Sequence, residues 1–284
     1  MLLLLQSHPY VFPLLAGLVG LLVGSFLNVV IVRLPTMLNR QWRRECEQHL
    51  AAAAADDRPF NLVTPRSHCP HCGHRIGALE NVPVLSYLWL RGRCSACGVR
   101  ISPRYPLVEL LSAGLSTLVA WHFGFGVAAI AVILLTWALI ALTFIDIDHQ
   151  LLPDVITLPF LWVGLLLNAF SVFADPRSAV IGAAAGYLAL WLVFHLFKLV
   201  TGKEGMGYGD FKLLALFGAW LGWQSLPLII LLSSFVGAAV GLGFILFRGR
   251  DRNLPIPFGP FLCAAGWIAL LWGDSMMRYY LRLA

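Results

Sequence analysis

The thirteen residues Phe211–Trp223, FKLLALFGAWLGW, decide the fold of this chain. Seven longer apolar runs stand out at roughly 11–32, 106–123, 126–145, 155–174, 179–197, 226–247 and 256–273. Each has about the 18 residues that a helix needs to cross a hydrocarbon core. Phe211–Trp223 is shorter, and whether it crosses sets the side on which everything after it lies.

Charge placement answers the question. Ten arginines fall between Thr36 and Tyr105, Lys198, Lys203 and Lys212 flank the short segment or lie in it, and Arg248, Arg250 and Arg252 precede the last run. The other short loops are nearly bare of cations. Basic segments stay in the cytosol, and these three share that side only if Phe211–Trp223 crosses. The expectation is an all-α polytopic membrane protein of about eight transmembrane helices with both termini outside.

Composition agrees, with 59% hydrophobic and 12% charged residues and a mean hydropathy of +0.80, values foreign to a soluble domain. The opening MLLLLQSHPYVFPLL has no basic n-region and no small-residue cleavage pattern follows, so the first run reads as a retained signal anchor. The pI near 9.2 follows from topology and anionic lipid and needs no nucleic acid. Three parts are expected: 1–35, the first helix; 36–105, a cytoplasmic arm; and 106–284, a seven-helix membrane core.

The arm divides in two. Met37–Asp57 is rich in helix formers and lacks Gly and Pro, which predicts a surface helix. Beyond it, CPHCG at Cys69 and Cys72 and CSACG at Cys94 and Cys97 form two CxxC knuckles with twenty-one residues between them. This is the pattern of a four-thiolate zinc site. Disulfides do not suit a reducing cytosol, and His68, His71 and His74 are superfluous where four thiolates complete a tetrahedron. Such a zinc ion is structural, because no open position remains for water. Cys46 and Cys263 read as packing thiols.

Carboxylates are scarce, and two stand at the cytoplasmic ends of apolar runs: Asp146 in TFIDIDHQLLPD and Asp210 in GKEGMGYGDFK. An acid at that depth is costly and is a functional candidate by default. Taken singly, Asp146 reads as a boundary residue and Asp210 as a helix N-cap. Gly205, Gly207 and Gly209 before Asp210 argue for more, since alternating glycines permit open φ values or the close approach of another chain. Two close carboxylates in a poorly solvated site share a proton, so one activates water while the other polarises a scissile carbonyl. Asp148 lies about 200° around the helix from Asp146, and Asp154 after Pro153 has the pattern of a cap for the next span.

With these motifs in view, the chain resembles the type IV prepilin leader peptidases that are also N-methyltransferases, within the GxGD class of aspartyl proteases. The resemblance runs through GSFLNVVIVRLP, both cysteine knuckles, RYPLVEL, DIDHQLLPD, GKEGMGYGDFKLLA and PIPFGPFL. It implies Asp146 and Asp210 as the catalytic dyad, zinc on Cys69, Cys72, Cys94 and Cys97, and a bacterial inner-membrane location with periplasmic termini. The implied activity is cleavage, after glycine, of the basic leader of prepilins and pseudopilins in the bilayer, serving pili or type II secretion. Methylation of the new N-terminal residue, usually phenylalanine, by S-adenosylmethionine follows, and no nucleotide loop names a site for it. Glu109 is a further acid at this depth, read either as a contact to leader or methyl donor or as a helix-start carboxylate facing Arg104. Asp148 and Lys212 are auxiliary candidates. Two other classes compete: an ion-coupled transporter, disfavoured by acid-free span centres and the lack of paired halves, and a non-enzymatic scaffold docking partners through the zinc arm.

Overall fold

A computed structural model describes residues 9–49, 60–248 and 257–283. Among them no strand is present, and eight long helices follow one another: α1 (Val11–His49), then after a five-residue helix α2 (Leu85–Trp89) come α3 (Arg104–Phe123), α4 (Val127–His149), α5 (Asp154–Asn168), α6 (Pro176–Thr201), α7 (Tyr208–Leu221), α8 (Leu226–Arg248) and α9 (Gly259–Leu283). Five of them, α1, α3, α4, α6 and α8, are long and apolar enough to cross a membrane. The chain falls into two compact units, Met1–Ala141 and Leu142–Ala284.

In the first unit α1 does not end at the membrane edge. It continues through Pro35 to His49 as one helix, so the start of the expected separate surface helix prolongs the span, while residues 50–57 lie outside the described set. Returning chain is fastened to α1 by Arg33, whose Nη1 donates to the carbonyls of Asn61 (3.0 Å) and Leu62 (3.3 Å), and by Arg40 over the Phe60 ring at 4.3 Å. Helices α1 and α3 meet along small residues. A Cβ on Gly20 would stand 2.8 Å from the Ser112 carbonyl, and one on Gly24 2.6 Å from the Glu109 Cα. Lipid gives apolar surface no reason to hide, so helices associate where small side chains let backbones touch. Leu14, Leu18, Leu22 and Phe26 accordingly remain exposed.

In the second unit the decisive short segment is α7. Fourteen residues rise about 21 Å, less than the ~30 Å of a hydrocarbon core. Yet from Asp210 to Trp220 every side chain but that of Lys212 is buried. Helices α5, α6 and α9 pack around it, so its apolar side chains are covered by protein along most of its length. The α6–α7 contact is backbone to backbone: a Cβ on either Gly182 or Gly218 would fall onto the carbonyl of the other.

The expected run 155–174 stops being helical at Asn168, for a reason in that side chain. Its Nδ2 donates to the carbonyls of Ala219 (2.8 Å) and Trp220 (2.9 Å) at the end of α7. Its Oδ1 accepts from the N–H groups of Phe173 and Ala174, both at 2.9 Å. One buried amide thus satisfies carbonyls left open at a helix end and folds the following turn, after which Asp175 caps α6 through Arg177 N and Ser178 N.

Candidate active site and metal centre

Asp146 lies in the last turn of α4 and Asp210 in the first turn of α7. The two residues are 5% and 6% exposed, and their carboxylates lie within electrostatic range of each other. Asp146 Oδ2 accepts the backbone N–H of Gly259 at 3.0 Å, the first residue of α9. Each acid therefore sits at a helix N-terminus, Asp210 on its own helix and Asp146 on that of α9, where partial positive charge favours an anion.

Leu152 of the LLPD turn sets the spacing. A Cβ on Gly209 would come within 2.8 Å of Leu152 Cβ, and one on Gly259 within 3.1 Å of Leu152 Cδ2 and 2.7 Å of Asp146 Oδ2. Glycine at 209 and 259 is what lets the acid-bearing ends close on one leucine.

Several expectations need adjustment. Asp210 is not a helix cap, since Gly207 holds that position in extended backbone (φ −86°, ψ 154°). Gly205, Gly207 and Gly209 take no positive φ; the left-handed residue nearby is Gly202 (φ 70°), which closes α6. Two of them stand at close approaches, Gly209 against Leu152 and Gly205 with a Cβ 3.0 Å from the Phe197 ring, while a Cβ on Gly207 would meet nothing nearer than 3.9 Å. Asp154 does not cap α5 either: its carboxylate takes Lys212 Nζ at 2.6 and 2.8 Å. Lys212 thus braces α5 against α7. Asp148 is exposed on the far side of α4 from Asp146. His195 is bound to its own helix through the Trp191 carbonyl at 2.9 Å. Cys263 is a buried thiol hydrogen-bonded to Thr143 and within electrostatic range of both aspartates.

In the arm, the sulfurs of Cys69, Cys72, Cys94 and Cys97 all lie within 4.8 Å of one another, with Cys69–Cys97 at 3.9 Å and Cys72–Cys94 at 4.0 Å. A tetrahedron with ~2.3 Å metal–sulfur bonds requires sulfurs about 3.8 Å apart. The two knuckles repeat each other bond for bond. Gly73 N donates to Cys69 O (2.9 Å) as Gly98 N does to Cys94 O (3.0 Å), and Cys69 N to His74 O (2.8 Å) as Cys94 N does to Val99 O (2.9 Å). Gly73 and Gly98 are left-handed, at φ 73° and 71°, which is why each CxxC needs its glycine. The N–H groups of Cys72 and His71 draw the Cys69 thiol down to about 7, and those of Cys97 and Ala96 lower Cys94. Against the pull of the His74 N–H, burial and the three neighbouring sulfurs push Cys72 up to about 12. A dication among the sulfurs relieves that repulsion, so the donor set fits one.

No histidine joins the cluster. His74 instead faces Glu80 (3.2 Å), a carboxylate drawn down to about 2 by Ser95, the Gly77 N–H and His74. Glu109 is buried in α3, where Oε2 accepts the N–H of Val84 at 2.8 Å and Ser25 supplies a second hydrogen bond. Sequence reasoning missed Gly259, Leu152 and Asn168 as organisers. The first two lie inside PIPFGPFL and DIDHQLLPD, but their role comes from contacts across the fold.

Comparison with known proteins places these features together. The model described as Bacterial Peptidase A24 N-terminal domain matches residues 18–123, and the one described as Type IV leader peptidase family matches residues 133–242, a range that holds both aspartates. A prepilin leader peptidase/N-methyltransferase of Aeromonas hydrophila is 58% identical over 280 residues, covering 98% of this chain and 97% of the relative. One from Pseudomonas aeruginosa is 58% identical over 281 residues, with 99% and 97% covered, and one from Legionella pneumophila 48% over 279, with 98% and 97%. No solved structure matches the chain. Two matching models that occupy most of the sequence, and relatives more than half identical from end to end, leave one conclusion: the chain belongs to the type IV leader peptidase family.

Proposed function

We propose that this protein is an inner-membrane aspartyl endopeptidase that removes the basic leader of type IV prepilins and pseudopilins at the cytoplasmic face. It cuts after glycine and then methylates the new N-terminal residue, usually phenylalanine, with S-adenosylmethionine. All eight long helices cross, α7 included, and both termini are periplasmic. The observation that carries the reading is the convergence of two buried carboxylates, Asp146 and Asp210, at the ends of helices whose flanks carry the cytosolic cations. A prepilin enters the same membrane as an apolar helix with its cationic leader in the cytosol, so its protease must hold its acids at that edge.

Asp146 and Asp210 bind one water and the scissile carbonyl between them. The ionised carboxylate takes a proton from the water as its oxygen attacks the carbonyl carbon. The protonated one stabilises the developing oxyanion by hydrogen bonding, and the amine of the departing chain leaves with a proton returned from the pair. Lys212 and Asp148 take no chemical part. Residues 36–105 form a cytosolic arm in which Cys69, Cys72, Cys94 and Cys97 hold one structural zinc, and the metal's contribution is to fix the two knuckles against each other. A prepilin cleavage assay in membranes tests the dyad: Asp146→Asn, Asp210→Asn and the double variant all lose cleavage to the same floor, as residues acting as one unit do. Full processing by either single variant refutes it. Ion flux that disappears in Asp210→Asn with cleavage intact would instead favour a transporter.

A further inference from the structure

Glu204 stands in the turn between α6 and α7, six residues before Asp210, and its carboxylate already holds an ammonium group. Lys198 Nζ donates to Glu204 Oε1 at 2.8 Å. The pair is open to water, its side chains 48% and 68% exposed, and exposed pairs of this kind contribute little to stability. A cation from outside can therefore take the place of Lys198 at small cost. Asp154 holds its lysine differently, since Lys212 meets both of its oxygens and is only 28% exposed.

The two partners differ in what they lose on separation. Lys198 lies in the last turn of α6, where the open carbonyls of the helix end favour a positive charge. Its Nζ is also 5.8 Å from the centre of the Phe194 ring, a second place for a cation. Glu204 has no other hydrogen bond or ion pair among the described residues, so the carboxylate is the group that needs a new partner. The chain around it can follow, because among the described residues no backbone hydrogen bond holds the turn from Glu204 to Met206. Six residues of extended chain span at most about 20 Å, so a cation within about six residues of the scissile bond of an extended substrate reaches Glu204. We propose that Glu204 receives the cation of the leader: a lysine ammonium or arginine guanidinium displaces Lys198 Nζ from the carboxylate and sets the leader on the approach to Asp210. Lys198 is then a built-in competitor, which an uncharged leader does not displace. The inference rests on the prepilin reading given above.

The test is steady-state cleavage of a synthetic prepilin by the full detergent-purified protein at low salt. Glu204→Gln is expected to raise KM about fivefold, the scale of one exposed ion pair, whereas Lys198→Met, which frees the carboxylate, is expected to lower it. A prepilin whose leader cations are replaced by glutamate should be cut better by Glu204→Lys than by wild type. A KM that rises in both single variants, as loss of a structural brace would give, overturns the proposal, and so does a KM within twofold of wild type in Glu204→Gln. Failure of the prepilin reading itself shows differently, as a wild-type enzyme that leaves every prepilin uncut.

Discussion

Gly259→Ala tests whether the Asp146 carboxylate must stay where α9 holds it. The added methyl would stand 2.7 Å from Asp146 Oδ2 and 3.1 Å from Leu152 Cδ2, the first well inside van der Waals contact. The carboxylate is the movable partner, because the methyl is fixed to a helix start and Leu152 is already pressed against Gly209. Its rotation breaks the 3.0 Å bond from Gly259 N. A hydrogen bond to a charged acceptor is worth about 1.5–3 kcal/mol, and at about 1.4 kcal/mol per decade its loss predicts a fall of roughly 10- to 150-fold in the rate of prepilin cleavage. Folding should be spared, since alanine follows a helix readily at this place. Gly243→Ala in α8, where a Cβ meets nothing within 4 Å, is the matched control and should cleave normally. Single-turnover cleavage in detergent micelles, with thermal melting of both variants, makes the measurement. A Gly259→Ala enzyme that cleaves within twofold of wild type refutes the argument that α9 positions Asp146.

Other outcomes follow from the same geometry. Purified protein should contain about one zinc per chain, and Cys72→Ser or strong chelation should remove it and expose the arm to limited proteolysis, as expected where metal binding supplies folding energy. Replacing Asn168 by leucine strands two carbonyls and two N–H groups, and should lower stability by on the order of 2–5 kcal/mol, read as a lower melting temperature in detergent. The Lys212–Asp154 pair is partly exposed, at 28% and 51%, and such pairs contribute at most about 1 kcal/mol. Lys212→Met should therefore change the cleavage rate less than twofold, and a larger loss would return Lys212 to the chemistry.

Much of the site was legible because its elements carry their own signals. A CxxCG knuckle is local: two sulfurs, one left-handed glycine and a handful of backbone N–H groups make half a metal site wherever the chain leads. Asp146 and Asp210 stood out because an acid at the end of an apolar run has a cost visible in composition. Helix positions were likewise legible, because lipid demands long apolar runs, and the predicted runs from residues 106 to 247 begin within three residues of the helices that form.

What misled were readings that depend on neighbours. Asp154 has the sequence of a cap, but Lys212, 58 residues later, offered a better partner. Of the two readings open for the glycines before Asp210, open φ values and close approach, Gly209 takes the second, against Leu152. Helix α1 was expected to end near Pro35, and it runs through that proline to His49.

The sequence by itself determined the membrane class, the all-helical character of the described chain, the two metal knuckles and the position of two acids at the ends of apolar runs, because periodicity, charge and local ligand spacing are properties of short stretches. Only the tertiary structure decided that Phe211 and Leu213–Trp220 form the buried heart of their unit, that Gly259 and Leu152 set the place of Asp146, and that Asn28 and Glu109 open onto one cavity. Those facts come from backbones brought into contact across dozens of residues, where the absence of a side chain at Gly182, Gly209, Gly218 and Gly259 does the positioning, and an absent side chain leaves little trace in a sequence read alone.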